Sequence, residues 1–177
     1  MKKTAFTAIL ASLALAPVAV ADSELYVNGG VSVFDTDEAT INALNMRGGL
    51  NFNEIMGAEF EAAFGLGAED LDSPEGAQIE VENQFSGFFV GRYPVLSRVD
   101  VLGRVGYTTG ELQVSNSGVS TDAEIDGFAF GIGGEFMFTD SFGLRGDYTR
   151  IEADDDQFDG GINVIAIVGV FKFGELR

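Results

Sequence analysis

Apolar side chains recur at every second position along most of this chain, and that period belongs to strands rather than helices. The last such stretch, residues 161–173, is the plainest. Phe173, Phe171, Gly169, Ile167 and Ile165 share one face, and Lys172, Val170, Val168 and Ala166 share the other. Seven earlier stretches repeat the pattern. Residues 25–34 set Leu25, Val27, Gly29, Val31 and Val33 against Tyr26, Asn28, Gly30 and Ser32. Residues 42–52 set Leu44, Met46, Gly48, Leu50 and Phe52 against Ala43, Asn45, Arg47, Gly49 and Asn51. In the third, Met56, Ala58, Phe60, Ala62 and Phe64 oppose Gly57, Glu59, Glu61, Ala63 and Gly65.

The fourth stretch, residues 83–93, alternates less cleanly, because Phe88 and Val90 fall on the face otherwise taken by Gln84, Ser86 and Arg92. Residues 99–109 follow with Val101, Val105 and Tyr107 against Asp100, Arg104 and Thr108. The sixth runs from Phe128 to Phe138, with Ala129, Gly131, Gly133, Glu135 and Met137 on its second face. The seventh, residues 142–151, places Leu144, Gly146 and Tyr148 against Arg145, Asp147 and Thr149. Connections alternate in length. Short turns are expected at residues 53–55, 94–98 and 139–141, and longer polar loops at 35–40, 66–82, 110–125 and 152–160.

An even number of ten-residue strands joined by alternating short turns and long loops predicts an all-β fold: a closed eight-stranded antiparallel transmembrane up-and-down barrel. A soluble sandwich would carry large aliphatics on its inner faces and charges outside. Here the second face is mostly small residues and charges of both signs, which suits a narrow lumen. Phe52, Tyr93, Phe138, Phe142, Phe171 and Phe173 fall at the short-turn ends, and Phe64, Phe85, Tyr107, Phe128 and Tyr148 near the long-loop ends, as two aromatic girdles require. Closure is also a physical necessity, since an open strand edge in hydrocarbon leaves N–H and C=O groups unsatisfied.

The first residues follow another logic. Met1-Lys2-Lys3, an apolar run from Ala5 to Ala16, and Ala19-Val20-Ala21 before Asp22 read as a secretory signal peptide. The expected organisation is therefore a cleaved segment at 1–21 and a barrel at 22–177. Net charge is -18, and losing Lys2 and Lys3 makes the mature chain more acidic still. Nucleic acid is excluded as a partner, because phosphate binding needs clustered Lys and Arg. With no cysteine there is neither a disulfide nor a thiolate metal site.

The export signal, the eight alternating stretches, turns such as Thr139-Asp140-Ser141 and the terminal Phe171-Lys172-Phe173 resemble the small outer-membrane β-barrel proteins of the OmpA and OmpX type. The stretch Phe88-Phe89-Val90-Gly91-Arg92-Tyr93, with Asp100 to Tyr107, is similar to porin-family barrel domains of Gram-negative bacteria. The resemblance implies residence in the cell outer membrane as a monomer, with both termini periplasmic and four loops outside. It also implies contact with outer-membrane lipid and lipopolysaccharide, and handling by the barrel-assembly machinery, for which Phe171 and Phe173 are the assembly-signal aromatics. Family members usually end on the aromatic residue, whereas residues 174–177 follow Phe173 here, and Val168 stands where a glycine is usual.

Candidate chemistry is concentrated on the second face. Arg47, Arg92, Arg104, Arg145 and Lys172 share it with Glu59, Glu61, Asp100, Glu135 and Asp147, and buried charges persist only when paired. Two readings follow: an interior network that fills the barrel, or a polar channel. Eight strands enclose a lumen that side chains can fill, which favours the network. Glu59 and Glu61 as an acid/base pair lack room for a sugar between them. Outer-membrane barrel enzymes rely on an active-site histidine, and this chain has none, so no Ser–His nucleophile can form and no enzyme is expected. Gly131-Ile132-Gly133-Gly134 lies inside a strand and precedes no helix, so it is not a nucleotide loop. No cofactor is expected. Asp154, Asp155, Asp156 and Asp159 lack EF-hand spacing, and divalent cations at the acidic loops are a candidate partner through carboxylate bridges to lipopolysaccharide. The leading expectation is a structural or surface-interaction role in the envelope. The alternative is a narrow porin for small solutes or ions.

Overall fold

A computed structural model of the protein describes residues 23–35, 40–67, 69–70, 78–116, 119–153 and 161–173. The expected signal segment, 1–21, lies outside the described residues. The strands are β1 (Glu24–Asp35), β2 (Thr40–Asn51), β3 (Met56–Gly65), the two-residue β4 (Glu69–Asp70), β5 (Gln78–Leu96), β6 (Val99–Asn116), β7 (Val119–Met137), β8 (Phe142–Ala153) and β9 (Ile162–Phe173). All pairings are antiparallel. The sheet runs β3-β2-β1-β9-β8-β7-β6-β5-β4, and a β3–β5 ladder closes it into an eight-stranded barrel with β4 appended to β5.

The seam between the first and last strands is continuous from Leu25↔Phe173 to Asp35↔Asn163. It satisfies the backbone groups that an open edge would leave bare in hydrocarbon. Parity then sorts the side chains. Leu25, Val27, Val31, Leu44, Met46, Phe89, Phe130, Ile132, Ile165 and Ile167 are exposed on the outside, while Tyr26, Asn28, Asn45, Arg145, Val168 and Val170 are buried inside. At the short-turn end, Asn53 Oδ1 accepts from the backbone N–H of Ile55 and Met56, both at 2.9 Å. Thr139 Oγ1 accepts from Phe142 N–H at 3.0 Å. These side chains replace the ladder where the backbone reverses.

Three expected boundaries are corrected. The turn foreseen at 94–98 shrinks to Ser97 and Arg98, because Pro94 to Leu96 stay in β5 across an irregularity in register. The loop foreseen at 66–82 loses residues 78–82 to β5, and Glu69–Asp70 pairs with Gln78 and Ile79. The loop foreseen at 110–125 is mostly ladder, since β6 and β7 stay in register to Asn116↔Val119. Strands β5, β6 and β7 hold 19, 18 and 19 residues rather than about ten. About 9–11 residues cross the hydrocarbon, so the surplus stands beyond it. There no lipid demands an apolar outer face, and the alternation that marks a strand in sequence disappears while its backbone pairing continues.

Two glycines of β1 test this division between packed wall and open outer face. A Cβ on Gly30 would collide with the carbonyl oxygen of Ile167 and lie 2.7 Å from Val168 Cα, whereas one on Gly29 would meet nothing within 4 Å. Gly30→Ala is expected to destabilise the refolded barrel by about 1–3 kcal/mol. Gly29→Ala should stay within about 0.5 kcal/mol, both read from urea unfolding midpoints.

Candidate functional site

The lumen is the site, and parity on seven strands brings the ten expected charges into it. At mid-depth, β2 contributes Arg47, β3 Glu59 and Glu61, β6 Arg104, and β8 Arg145 and Asp147. They form a closed ring of alternating charge. Arg104 Nη1 donates to Glu59 Oε1 at 2.9 Å, and Arg145 Nη1 donates to Glu59 Oε2 at 2.8 Å. Arg145 Nε donates to Asp147 Oδ1 at 2.8 Å, and Asp147 Oδ2 accepts from Arg47 Nη1. Arg47 Nε lies 2.9 Å from Glu61 Oε2, which also accepts from Arg104 Nη2 at 2.8 Å and so completes the circuit.

Each guanidinium thus bridges two carboxylates and each carboxylate two guanidiniums, leaving the ring formally neutral. Side chains around it use further donors and acceptors: Tyr26 OH donates to Glu59 Oε2 at 3.0 Å, Arg104 Nε to Thr149 Oγ1 at 3.1 Å, and Arg47 Nε to Asn45 Oδ1 at 2.9 Å. Charges this deeply buried are tolerable only when paired and hydrogen-bonded, and among the ring's own donors Arg145 Nη2 is left buried without a hydrogen-bond partner among the described residues. The Phe88 ring lies under Arg104, with Cζ 3.9 Å from its centroid. That contact accounts for Phe88 on the polar face of the fourth stretch, as a partner for the guanidinium, while Val90 is buried in the apolar cluster.

A second cluster occupies the short-turn end. Arg92 Nη1 donates to Asp100 Oδ2 at 2.8 Å and to Glu135 Oε1 at 2.7 Å, and Lys172 Nζ lies 2.9 Å from the same Glu135 oxygen. Lys172 also lies 3.6 Å from Glu24 Oε1, which accepts from Asn51 Nδ2 at 2.8 Å. This chain of contacts ties β1, β2, β5, β6, β7 and β9 together. The ten charges expected on the second face therefore divide into two groups, six in the ring and four below it.

Sequence reading left out Glu24, although it shares parity with Tyr26 and Asn28. It also left out the apolar layer at the long-loop mouth, where Phe34, Ile41, Ile151, Ile162 and Val164 are buried in one cluster with Ala43 and Ala63. Phe34 and Ile41 are register partners, as are Ile151 and Ile162. Residues on the same face as the charges, but one or two pairs further along, were the available signal. The four aspartates at 154–159 lie outside the described residues. Phe171 and Phe173 are exposed at the end of β9, with ring centroids 4.7 Å apart.

A family model described as an outer membrane protein beta-barrel domain matches residues 4–170. The chain belongs to that family. Its barrel lies in the outer membrane. Among solved structures, Ail, the attachment invasion locus protein of Yersinia pestis, is similar over 86% of this chain and 99% of its own, with TM-score 0.61 and 16% identity. The N-terminal barrel domain of Pseudomonas aeruginosa OprF matches 85% of this chain and 97% of its own, with TM-score 0.62 and 9% identity. Pseudomonas aeruginosa OprG matches 86% and 96%, with TM-score 0.63 and 13% identity. At these identities the likeness is one of fold. No curated protein sequence matches the chain.

The ring gives a direct stability prediction. Arg104→Ala leaves Glu59 and Glu61 each short of a cation and is expected to cost about 3–5 kcal/mol in urea unfolding of the refolded barrel. Arg98→Ala, which loses an exposed bond to the Phe138 carbonyl at 2.8 Å, should stay within about 0.5 kcal/mol. Equal midpoints for the two variants would show that the ring is not needed to hold the barrel.

Proposed function

We propose that this protein is a non-conducting envelope protein with a structural or surface-interaction role. The observation that carries the reading is the occupied lumen: an ion ring spans it at mid-depth and an apolar cluster lies above the ring. A porin needs a continuous wet path, and two successive layers of opposite character argue against one. The lack of any histidine argues against the hydrolytic chemistry of Ser–His nucleophiles. In this reading residues 1–21 are removed on export, both ends of the barrel face the periplasm, and the long strands project outside. The terminal strand with Phe171 and Phe173 is the segment offered to the barrel-assembly machinery, and the mature protein is a monomer in contact with lipid and lipopolysaccharide.

The projecting strands support an interaction role. Pairing of β7 with β8 ends at Gly127↔Ala153, while pairing of β7 with β6 continues to Val119. Among the described residues, 119–126 therefore pair on one side alone, a free edge of roughly 25 Å at about 3.3 Å per residue. Such an edge can accept an added strand. Charge narrows the partner. Ail has been solved in complex with the heparin analogue sucrose octasulfate, a polyanion. On the long-loop side of this chain, residues 35–40, 66–82, 109–126 and 150–163 hold 18 carboxylates and one base, Arg150. That surface repels polyanions and favours cationic partners, divalent cations among them.

Two measurements test the reading. Planar-bilayer recording of the refolded 22–177 chain, shown to be folded by heat-modifiable gel mobility, is expected to be silent, and discrete openings would move the protein to the porin class. Cells displaying the protein should be retained on polylysine-coated beads and not on heparin-coated beads, and changing the carboxylates of residues 66–82 and 150–163 to their amides should weaken that retention. Retention on heparin would overturn the charge argument.

A further inference from the structure

Of the buried polar atoms that meet no hydrogen-bond partner among the described residues, five belong to one patch of the lumen wall: Asn28 Nδ2 and Oδ1, Ser32 Oγ, Asn45 Nδ2 and Arg145 Nη2. Register sets them around the inner face of Gly30. Asn28 and Ser32 stand two residues before and after it on β1, and Asn45 is its partner on β2. Its partner on β9 is Val168, whose own partner on β8 is Arg145. Gly30 adds no side chain of its own, since a Cβ would strike the Ile167 carbonyl oxygen. Asn28 is 5% exposed and the other three are 1% or less, so bulk solvent does not satisfy these atoms.

The patch has a surplus of donors. Asn28 Nδ2, Asn45 Nδ2 and Arg145 Nη2 are all NH₂ groups, whereas the acceptors are Asn28 Oδ1 and the Ser32 hydroxyl. Buried donors without partners are costly, so an occupant with acceptor capacity is called for. Water accepts from such donors but brings hydrogens that need acceptors of their own, and the patch is short of them. A halide accepts from every side and brings no hydrogen. Charge permits it as well. Arg145 borders the patch, and Arg47 is the β2 partner of Asn28. Asp147 reaches the same side of the ring, yet Arg145 Nε donates to its Oδ1 and Arg47 Nη1 to its Oδ2, so both of its oxygens are engaged.

We propose that this patch is a halide site, holding one chloride that is enclosed as the barrel closes. Arg145 Nη2 supplies the charge-assisted contact, and the Asn45 and Asn28 amides and the Ser32 hydroxyl supply neutral ones. The ion uses only donors that the ring leaves over, so every pair within the ring stays intact. The site is a component of the folded lumen, independent of the acidic outer surface and its partners.

The direct test is anomalous diffraction from the 22–177 chain refolded and crystallised in sodium bromide, because bromide scatters anomalously and water does not. One peak among Asn28, Ser32, Asn45 and Arg145 is expected. Density there without anomalous signal would mean water, and peaks confined to the outer surface would mean an adventitious ion only; either result overturns the proposal. In solution, urea unfolding is compared in sodium chloride and sodium gluconate at equal ionic strength. Chloride is expected to raise the folding equilibrium constant about tenfold at a concentration about ten times its dissociation constant. Asn45→Asp keeps the oxygen that accepts from Arg47 Nε but replaces the free amide donor by a second oxygen, and should abolish the chloride dependence. Ser32→Ala removes one neutral donor and should reduce that dependence, which provides a second reading if Asn45→Asp folds poorly. Arg98→Gln, at an exposed turn, should retain it in full. Coincident midpoints in the two salts for the wild type, or a difference that both site variants keep, would also overturn the proposal.

Discussion

The closed ring of Arg47, Glu61, Arg104, Glu59, Arg145 and Asp147 is the interaction on which the rest of this barrel depends. An eight-stranded barrel has an interior that must be filled by side chains, and here the filling at mid-depth is ionic. Arginine suits the task because its planar fork can address two carboxylates in different directions at once, which a lysine ammonium does less selectively. Its members come from β2, β3, β6 and β8; β2 and β3 are paired neighbours, but the ring ties that pair to β6 and β8, with which neither shares a ladder, and ties β6 to β8, which are not paired either. No member can leave without stranding the charges on either side of it, and burial makes each stranded charge expensive.

Glycine makes room for this filling at two particular places. Tyr26, whose hydroxyl reaches Glu59, lies across from Gly49, and a Cβ there would run into the tyrosine ring. Phe88, which supports Arg104, lies across from Gly106, where a Cβ would come within 2.7 Å of the phenylalanine ring. In both pairs a large aromatic on one strand takes the volume that the neighbouring strand gives up. Both aromatics then touch the ion ring, so local cross-strand packing and the network at the centre are mutually dependent.

Charge is also distributed by position. Five bases neutralise carboxylates within the lumen, which leaves the long-loop surface strongly acidic around Arg150. A lumen spanned by paired charges and capped by Phe34, Ile41, Ile151, Ile162 and Val164 directs attention to that outer surface. In the proposed function this distribution is what would attract cations and repel polyanions in a salt-dependent way, without a dedicated binding pocket.

By itself the sequence determined which residues face lipid and which face the lumen, because a period of two leaves only two faces and a bilayer makes one of them apolar. Arg47, Arg92, Arg104, Arg145 and Lys172 and the five expected acids could be assigned inward on that ground alone, and barrel closure followed from the cost of an open edge. The partners of each charge were decided only by tertiary structure. Parity places Glu59 and Glu61 on one face of β3 but carries no information about Arg104 or Arg145, which arrive from strands 45 and 86 residues away along the chain. Strand ends were hidden for a related reason: beyond the membrane, β6 and β7 keep their ladder without needing an oily face. Register, shear and the closure of β3 on β5 settle what meets what across a lumen, and those are properties of the assembled sheet rather than of any one stretch.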